Sequence, residues 1–310
     1  MTSTRDPVPA IPLEAGGRSE HDSAIAAALV AVVVVLAMTA PLLPAWGVMW
    51  LLAVGVFAAM KYATWHRAAA RFGPPVEPGG AAAYLLAWPG MDPLPFLRRA
   101  DATITMPPRR EWLAAAAKTV AGAALVWGVV RLAPPAHDLL RGWVGMIGLV
   151  LLLHCGAFHL VALIWRRRGV DVRPIMNGPH RATGVAEFWG ARWNVAFRQL
   201  AHDFAFRPLR KRLGVAGATL AAFAASGLVH DLVISVSARA GYGLPTAYFL
   251  AQGLAVLLER SALGRRVGLG RGVRGWLFAA IVTAGPAVWL FHPPFVRAVM
   301  LPFLHAIGAL

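Results

Sequence analysis

One cysteine occurs in the whole 310-residue chain, Cys155, and it falls inside an apolar run. An internal disulfide is therefore excluded, as is a cysteine-rich metal site. No His-Glu-x-x-His pair occurs either, so the zinc-binding helix of a metallopeptidase is absent. Acidic residues are scarce, 14 against 30 lysines and arginines, which leaves a formal charge of +16. Charge of either sign accounts for only 14% of the chain, and apolar residues for 58%. A soluble domain carries about 25% charged residues, so that class is set aside. The apolar runs are continuous, without the alternation of a transmembrane β-barrel. No internal repeat is apparent, which speaks against a transporter built from inverted halves.

What the chain has in quantity is long apolar segments. Residues 24–40, 42–60, 112–130, 143–165, 213–237, 244–258 and 275–291 each approach the roughly 20 residues that cross a hydrocarbon layer. An eighth, 295–310, is interrupted by Arg297, Pro302 and His305. The expected fold is all-α, a polytopic integral membrane bundle of seven or eight transmembrane helices. Residues 1–22 are polar, mixed in charge and proline-bearing, and are expected to be a disordered tail. Residues 23–310 read as one transmembrane domain. A secretory signal is not expected, because Glu14, Glu20 and Asp22 precede the first apolar run; small residues at Thr39-Ala40 leave cleavage as a minor alternative. The segment 81–88 is too short to cross and is expected in the interface or as a re-entrant piece.

The arginines are segregated. Arg98, Arg99, Arg109 and Arg110 precede the third span; Arg166, Arg167 and Arg168 close the fourth; Arg210, Lys211 and Arg212 open the fifth. Arg260, Arg265, Arg266, Arg271 and Arg274 lie between the sixth and seventh. The loops 41–44, 131–141 and 239–243 are nearly neutral by comparison. The excess of lysine and arginine in cytoplasmic loops then gives one topology, with the N-terminus inside, in the cell membrane. Segregation of this kind accounts for the net charge without a nucleic-acid partner.

Two features carry chemistry. His230 lies within the apolar segment 213–237, and an ionisable group there costs a few kcal/mol, which makes it a functional candidate by default. Thr219, Ser226, His230 and Ser237 share one helical face, as a wet cavity or an interhelical hydrogen-bonded seam would require. Asp231 is adjacent in sequence but about 100° away around the helix, so orientation of the His230 ring by Asp231 does not follow. The second feature is Phe188-Trp189-Gly190-Ala191-Arg192-Trp193-Asn194, in the longest polar connection, 166–212. Read as one α-helix, this segment places Trp189, Trp193, Ala196, Phe197, Leu200 and Phe204 on one side, as in a helix lying at the membrane surface. That helix is an anchor on one reading and part of a site on the other. His154 and His159 fall about 140° apart on the fourth span and do not offer a two-ligand face; no metal is expected.

Together, FWGARWN and Ser226-Gly227-Leu228-Val229-His230 resemble the wax synthase branch of the membrane-bound O-acyltransferases. The resemblance extends over about 84–294, through the segment 84–97, the run 248–253 to Glu259, and Phe291-His292-Pro293-Pro294. It departs from the family at Ala191, where arginine is usual, and at Asp231, where glutamate is common. The resemblance implies acyl transfer from acyl-CoA, as co-substrate and with no bound cofactor, to the hydroxyl of a lipophilic alcohol. A sterol, carotenoid, glycan or natural-product hydroxyl is an alternative acceptor, and a lipid or small-molecule transporter is the competing class. The resemblance assigns His230 and Asn194 as catalytic: an imidazole to accept the hydroxyl proton, and an amide to stabilise the thioester oxygen or to position substrate. Trp189, Trp193, Arg192, Ser226 and Glu259 are the expected substrate-binding residues. Membrane lipids surround the whole.

Overall fold

The structure, a computed structural model, describes residues 42–98 and 105–310. The tail 1–22, the span 24–40 and the cleavage alternative at Thr39-Ala40 lie outside the described residues. Every regular element among the described residues is helical. Five helices are long and apolar enough to cross a membrane: α1 (Ala45–Phe72), α3 (Arg109–Leu132), α4 (Asp138–Arg167), α5 (Val195–Ala238) and α8 (Gly272–Leu290). Between them lie the short α2 (Gly80–Ala87), α6 (Leu244–Arg260), and α7 (Ala262–Val267), and α9 follows at 293–306. At 1.5 Å per residue the 17 residues of α6 extend about 26 Å, a little less than the hydrocarbon layer.

Local chemistry sets the ends of these elements. α1 stops at Gly73, whose φ of 85° is a conformation that other residues rarely adopt. The sequence reading ended this segment at residue 60, yet the helix runs twelve residues further, to Phe72. Lys61, Thr64 and His66 do not break a helix; they change what it faces. α3 follows Pro108, and α6 opens with Gly243 in the left-handed region and Pro245 in its first turn. The 44 residues of α5 would extend about 66 Å if straight, twice the thickness of a membrane core. Gly214, at φ 66° and ψ −175°, breaks it into an arm, 195–213, and a span, 215–238. The span agrees with the expected 213–237.

The helices approach closely through small residues. A Cβ on Gly122 of α3 would lie 2.3 Å from the backbone nitrogen of Leu152 in α4. A Cβ on Gly227 of α5 would lie 2.6 Å from Cα of Thr246 in α6. Backbone contact of this kind drives helix association where no hydrophobic force separates lipid from side chain. The buried core between α4, α5, α6 and α9 contains Met146, Ile234, Phe249, Phe295 and Val299. Leu86 and Leu132 are among many large apolar side chains left on the outside, as lipid-facing residues are.

Candidate active site

The span of α5 carries His230 into a cavity of about 650 Å³ bounded by α1, α4, α5 and α9. The lining is almost wholly hydrocarbon: Phe57, Trp143, Phe197 and Phe291 are typical, and Cys155 and His230 supply the heteroatoms of interest. Nδ1 of His230 lies 2.7 Å from the carbonyl oxygen of Ser226. A carbonyl only accepts, so Nδ1 carries the hydrogen, and in the neutral ring Nε2 has the free lone pair. The ring stacks obliquely on Phe249, centroids 4.4 Å apart. The imidazole is thus fixed in tautomer and in plane, as a general base needs to be.

Asp231 serves the scaffold. Its carboxylate accepts the backbone N–H groups of Gly243 (2.9 Å) and Thr246 (3.0 Å), the Thr246 hydroxyl, and the Ser235 hydroxyl (2.8 Å). It therefore caps the start of α6, satisfying donors that have no intrahelical partner. Gly227 and Asp231 hold α6 against α5 on either side of His230. The other members of the polar stripe bond backward within their own helix: Thr219 to Val215, Ser226 to Ala222 and Ser237 to Val233. These three bonds form no interhelical seam, one of the two alternatives that the stripe offered.

The FWGARWN segment corrects the continuous-helix reading. A π-helical turn, Phe188–Arg192, ends with the Trp193 N–H donating to the Phe188 carbonyl at 2.8 Å. The wider turn brings residues five apart together, so the Phe188 and Trp193 rings stack at 5.4 Å. Trp193 is then extended, and Asn194 takes φ 38° and ψ 61° before α5 begins. Outside glycine, asparagine is the residue that most readily adopts this left-handed region. Two bonds bracket the break, Asn177 N–H to Arg192 O (2.8 Å) and Val195 N–H to Ile175 O (3.0 Å). Trp193 lines the cavity with His230. Asn194, beside it, has a buried Oδ1 with no hydrogen-bond partner.

Trp189 packs between α5 and α6. Its indole N–H donates to Oε1 of Gln252 (3.1 Å), whose amide donates to the Val282 carbonyl (2.8 Å). Phe223, Tyr248 and Phe249 surround the ring. Arg192 is spent on the loop itself: it pairs with Glu187 at 2.6 Å and donates to the Asn177 and Gly178 carbonyls. Backbone donation from Thr183, together with Arg192, holds the Glu187 carboxyl below its ordinary range, against the effect of burial. Glu259, expected to bind substrate, meets backbone amides instead, accepting from Val185 (2.5 Å) and Ala186 (3.3 Å). Of the expected site residues, His230 and Trp193 line the cavity, whereas Trp189, Arg192, Asn194, Ser226 and Glu259 do not.

The sequence reading missed Lys61, which is 1% exposed in α1. Its ammonium donates to the carbonyls of Trp88 (3.0 Å) and Gly90 (2.8 Å) and lies 3.1 Å from the centre of the Tyr84 ring. Met91, next along, packs with Met176 and Ala196 against Trp193. The signal was present, a lysine in an apolar helix, but it lay just past the point where that span was ended.

Residues 172–251 match the model of a family described as membrane bound O-acyl transferase. The resemblance read from the sequence is borne out. Over 143 residues the chain is 34% identical to a long-chain-alcohol O-fatty-acyltransferase of Simmondsia chinensis, covering 42% of this chain and 40% of the relative. A probable long-chain-alcohol O-fatty-acyltransferase 7 of Arabidopsis thaliana is 30% identical over 149 residues, 42% of each chain. An acyl-CoA–sterol O-acyltransferase 1 of the same plant is 25% identical over 139 residues, 41% of this chain and 40% of the relative. The match spans about two-fifths of the length of these acyltransferases. The matched residues 172–251 contain both the FWGARWN break and the His230 ring.

Proposed function

We propose that the chain is a membrane-embedded O-acyltransferase that moves a fatty acyl group from acyl-CoA to the hydroxyl of a lipophilic alcohol, giving a wax-type ester. One observation carries the reading: a histidine with Nδ1 pinned to a carbonyl is the main polar group facing an apolar cavity of about 650 Å³, beside the asparagine-terminated motif. The alcohol oxygen attacks the thioester carbonyl while Nε2 of His230 takes its proton. The tetrahedral intermediate collapses, the carbon–sulfur bond breaks, and the proton passes from the imidazolium to the leaving thiolate. The products are an ester and the free thiol of CoA. The side-chain N–H of Asn194 is suited to the developing oxyanion. Trp193 contacts substrate; Trp189, Arg192, Ser226 and Glu259 hold the motif and the ring in place. Hydrocarbon lining keeps water from the thioester.

The basic helix ends belong to the cytoplasm in this reading, where acyl-CoA is available, and the N-terminus is on that side of the cell membrane. With α6 and α9 added to the five long helices of the described residues, the reading keeps one transmembrane domain of seven or eight spans. The sterol acyltransferase relative keeps a sterol acceptor as the second reading.

The test is a lipid comparison of cells expressing the wild type or His230→Ala, fed labelled fatty acid with linear alcohols and a sterol. Labelled ester is expected from the wild type, and a loss of roughly 10²–10⁴-fold in the variant. Wild-type ester yield from a correctly inserted His230→Ala protein overturns the mechanism. No ester from either protein returns the transporter reading.

A further inference from the structure

A second concavity, of about 540 Å³, lies at the basic end of the bundle, between α6 and α8, and is lined by Ala262, Leu263, Arg265, Arg266 and Arg271. We propose that Arg265, Arg266 and Arg271 form a phosphate-binding pocket that takes the nucleotide end of the acyl donor, an inference that rests on the acyl-CoA reading above. α7 sets the arrangement. Ser261 caps it, its hydroxyl accepting from the Gly264 N–H at 3.0 Å. Gly268 (φ 82°) and Gly270 (φ 86°) then turn the chain back so that Arg271 faces the α7 arginines across the concavity. Arg166 pairs with Glu111, Arg192 with Glu187 and Arg297 with Asp138, whereas the three pocket arginines are exposed at the surface, Arg265 donating to the Arg260 carbonyl. Three exposed guanidinium groups about one concavity repel each other, and a polyvalent anion relieves that repulsion while accepting their forked donors. Topological arginines need only be in the loop, a requirement that Arg260 and Arg274 already meet; they do not need to converge.

The pocket is also joined to the motif. Glu259, at the end of α6, accepts from Val185 and Ala186 at the entrance to the FWGARWN turn. The Trp276 indole of α8 donates to the His180 carbonyl at 2.8 Å, and a Cβ on Gly275 would lie 2.1 Å from the Thr183 carbonyl. α6 itself gives the scale. From Phe249, in contact with the His230 ring, to Arg260, the helix rises about 16 Å. A ligand held by phosphates at Arg265, Arg266 and Arg271, with a reacting carbonyl at His230, must be long, thin and uncharged in between. A pantetheine arm between a nucleotide and a thioester has that form.

The experiment compares two donors on the full-length protein in phosphatidylcholine nanodiscs: acyl-CoA, and the acyl thioester of N-acetylcysteamine, which lacks the nucleotide. The triple variant Arg265→Gln, Arg266→Gln, Arg271→Gln should lower the ratio of kcat/KM for acyl-CoA to that for the truncated donor by about tenfold, since each exposed charge contact contributes a few-fold. Adenosine 3′,5′-bisphosphate should inhibit the wild type against acyl-CoA and lose that effect in the variant, and lysine at the three positions should restore it in part. An unchanged ratio, or an equal fall with both donors, overturns the proposal. So does a variant whose only change is weaker retention of phosphatidylglycerol from mixed nanodiscs, which would assign the pocket to a lipid headgroup. If the wild type forms no ester from either donor, the acyl-transfer reading fails by itself. Direct binding of labelled adenosine 3′,5′-bisphosphate to wild type and variant then decides the pocket.

Discussion

Each of the two motifs contains a glycine, and the structure gives them different tasks. Gly227 lies three residues before His230, where a Cβ would come 2.6 Å from Cα of Thr246, against at least 3.4 Å for an ordinary contact. The obstacle is backbone, which cannot rotate away. Gly227→Ala must part α5 and α6 by about 0.8 Å. That displacement lengthens the Asp231 bonds to Gly243 and Thr246 and shifts Phe249 relative to the His230 ring. Overpacking of this size costs about 1–3 kcal/mol of stability. A misplacement near 1 Å at a catalytic group lowers turnover by about 10²-fold. Gly190 is the control: a Cβ there meets nothing within 4 Å. Gly190→Ala should keep activity and stability within a factor of about two, because alanine is the better helix former. The assay is labelled ester formed per mole of purified protein in nanodiscs, with thermal unfolding of the same samples. Wild-type turnover in Gly227→Ala, or equal damage from both substitutions, would refute the account of how the fold holds His230.

Three further outcomes follow from the geometry. Asn194→Ala should lower kcat by about 10²–10³-fold with little change in KM for acyl-CoA if the amide meets the oxyanion; parallel change in both parameters would assign it to positioning. Lys61→Met leaves the Trp88 and Gly90 carbonyls unpaired in the interior, at about 1–3 kcal/mol each, so protease cleavage within 88–92 should accelerate; unchanged cleavage removes Lys61 from the role of clasp. The Glu187 carboxyl, held below its ordinary range, stabilises the motif turn at neutral pH, and that contribution is lost as acid protonates it, below about pH 4. Amide exchange across 177–192 should rise in that window in the wild type and not in Glu187→Gln; identical profiles would refute the link.

Hydropathy made the long helices legible, because crossing a membrane demands a continuous apolar run and little else. The ends were less so. The polar residues after Met60 looked like a boundary, yet Lys61 finds two carbonyls and a ring inside the bundle, and α1 continues. At the motif, the residue types were right and the geometry was not. A period of 3.6 was imposed on FWGARWN, where the chain takes a wider turn and then reverses at Asn194. Asparagine at the end of an aromatic run was the available sign of a left-handed residue. The partners of Asp231 and Glu259 were beyond any sequence pattern: Gly243 and Thr246 lie a loop away, and Val185 is 74 residues from Glu259. What they meet are unpaired amides at helix starts, which have no side-chain signature.

The cavity's two sides differ in kind. On one, the His230 ring is bonded to the Ser226 carbonyl within α5, its neighbour Asp231 ties α5 to the start of α6, and the Trp193 N–H is bonded to the Phe188 carbonyl of the motif turn; these bonds have length and direction. The side contributed by α1 and α4 is mostly hydrocarbon, with Ala53, Val56, Phe57, Ile147 and Val150 as typical members beside Met49, and with Trp143 and Cys155 as its polar exceptions. Contact there is through dispersion and exclusion of water, which are non-directional and survive small rearrangements. Methionine in particular re-packs at little cost. In the proposed acyl transfer, the place of ester formation would thus be set by the rigid side, and the compliant side would accommodate chains of differing length. Tolerance toward chain length and strictness about the position of the reacting hydroxyl are compatible in one cavity because different atoms govern them.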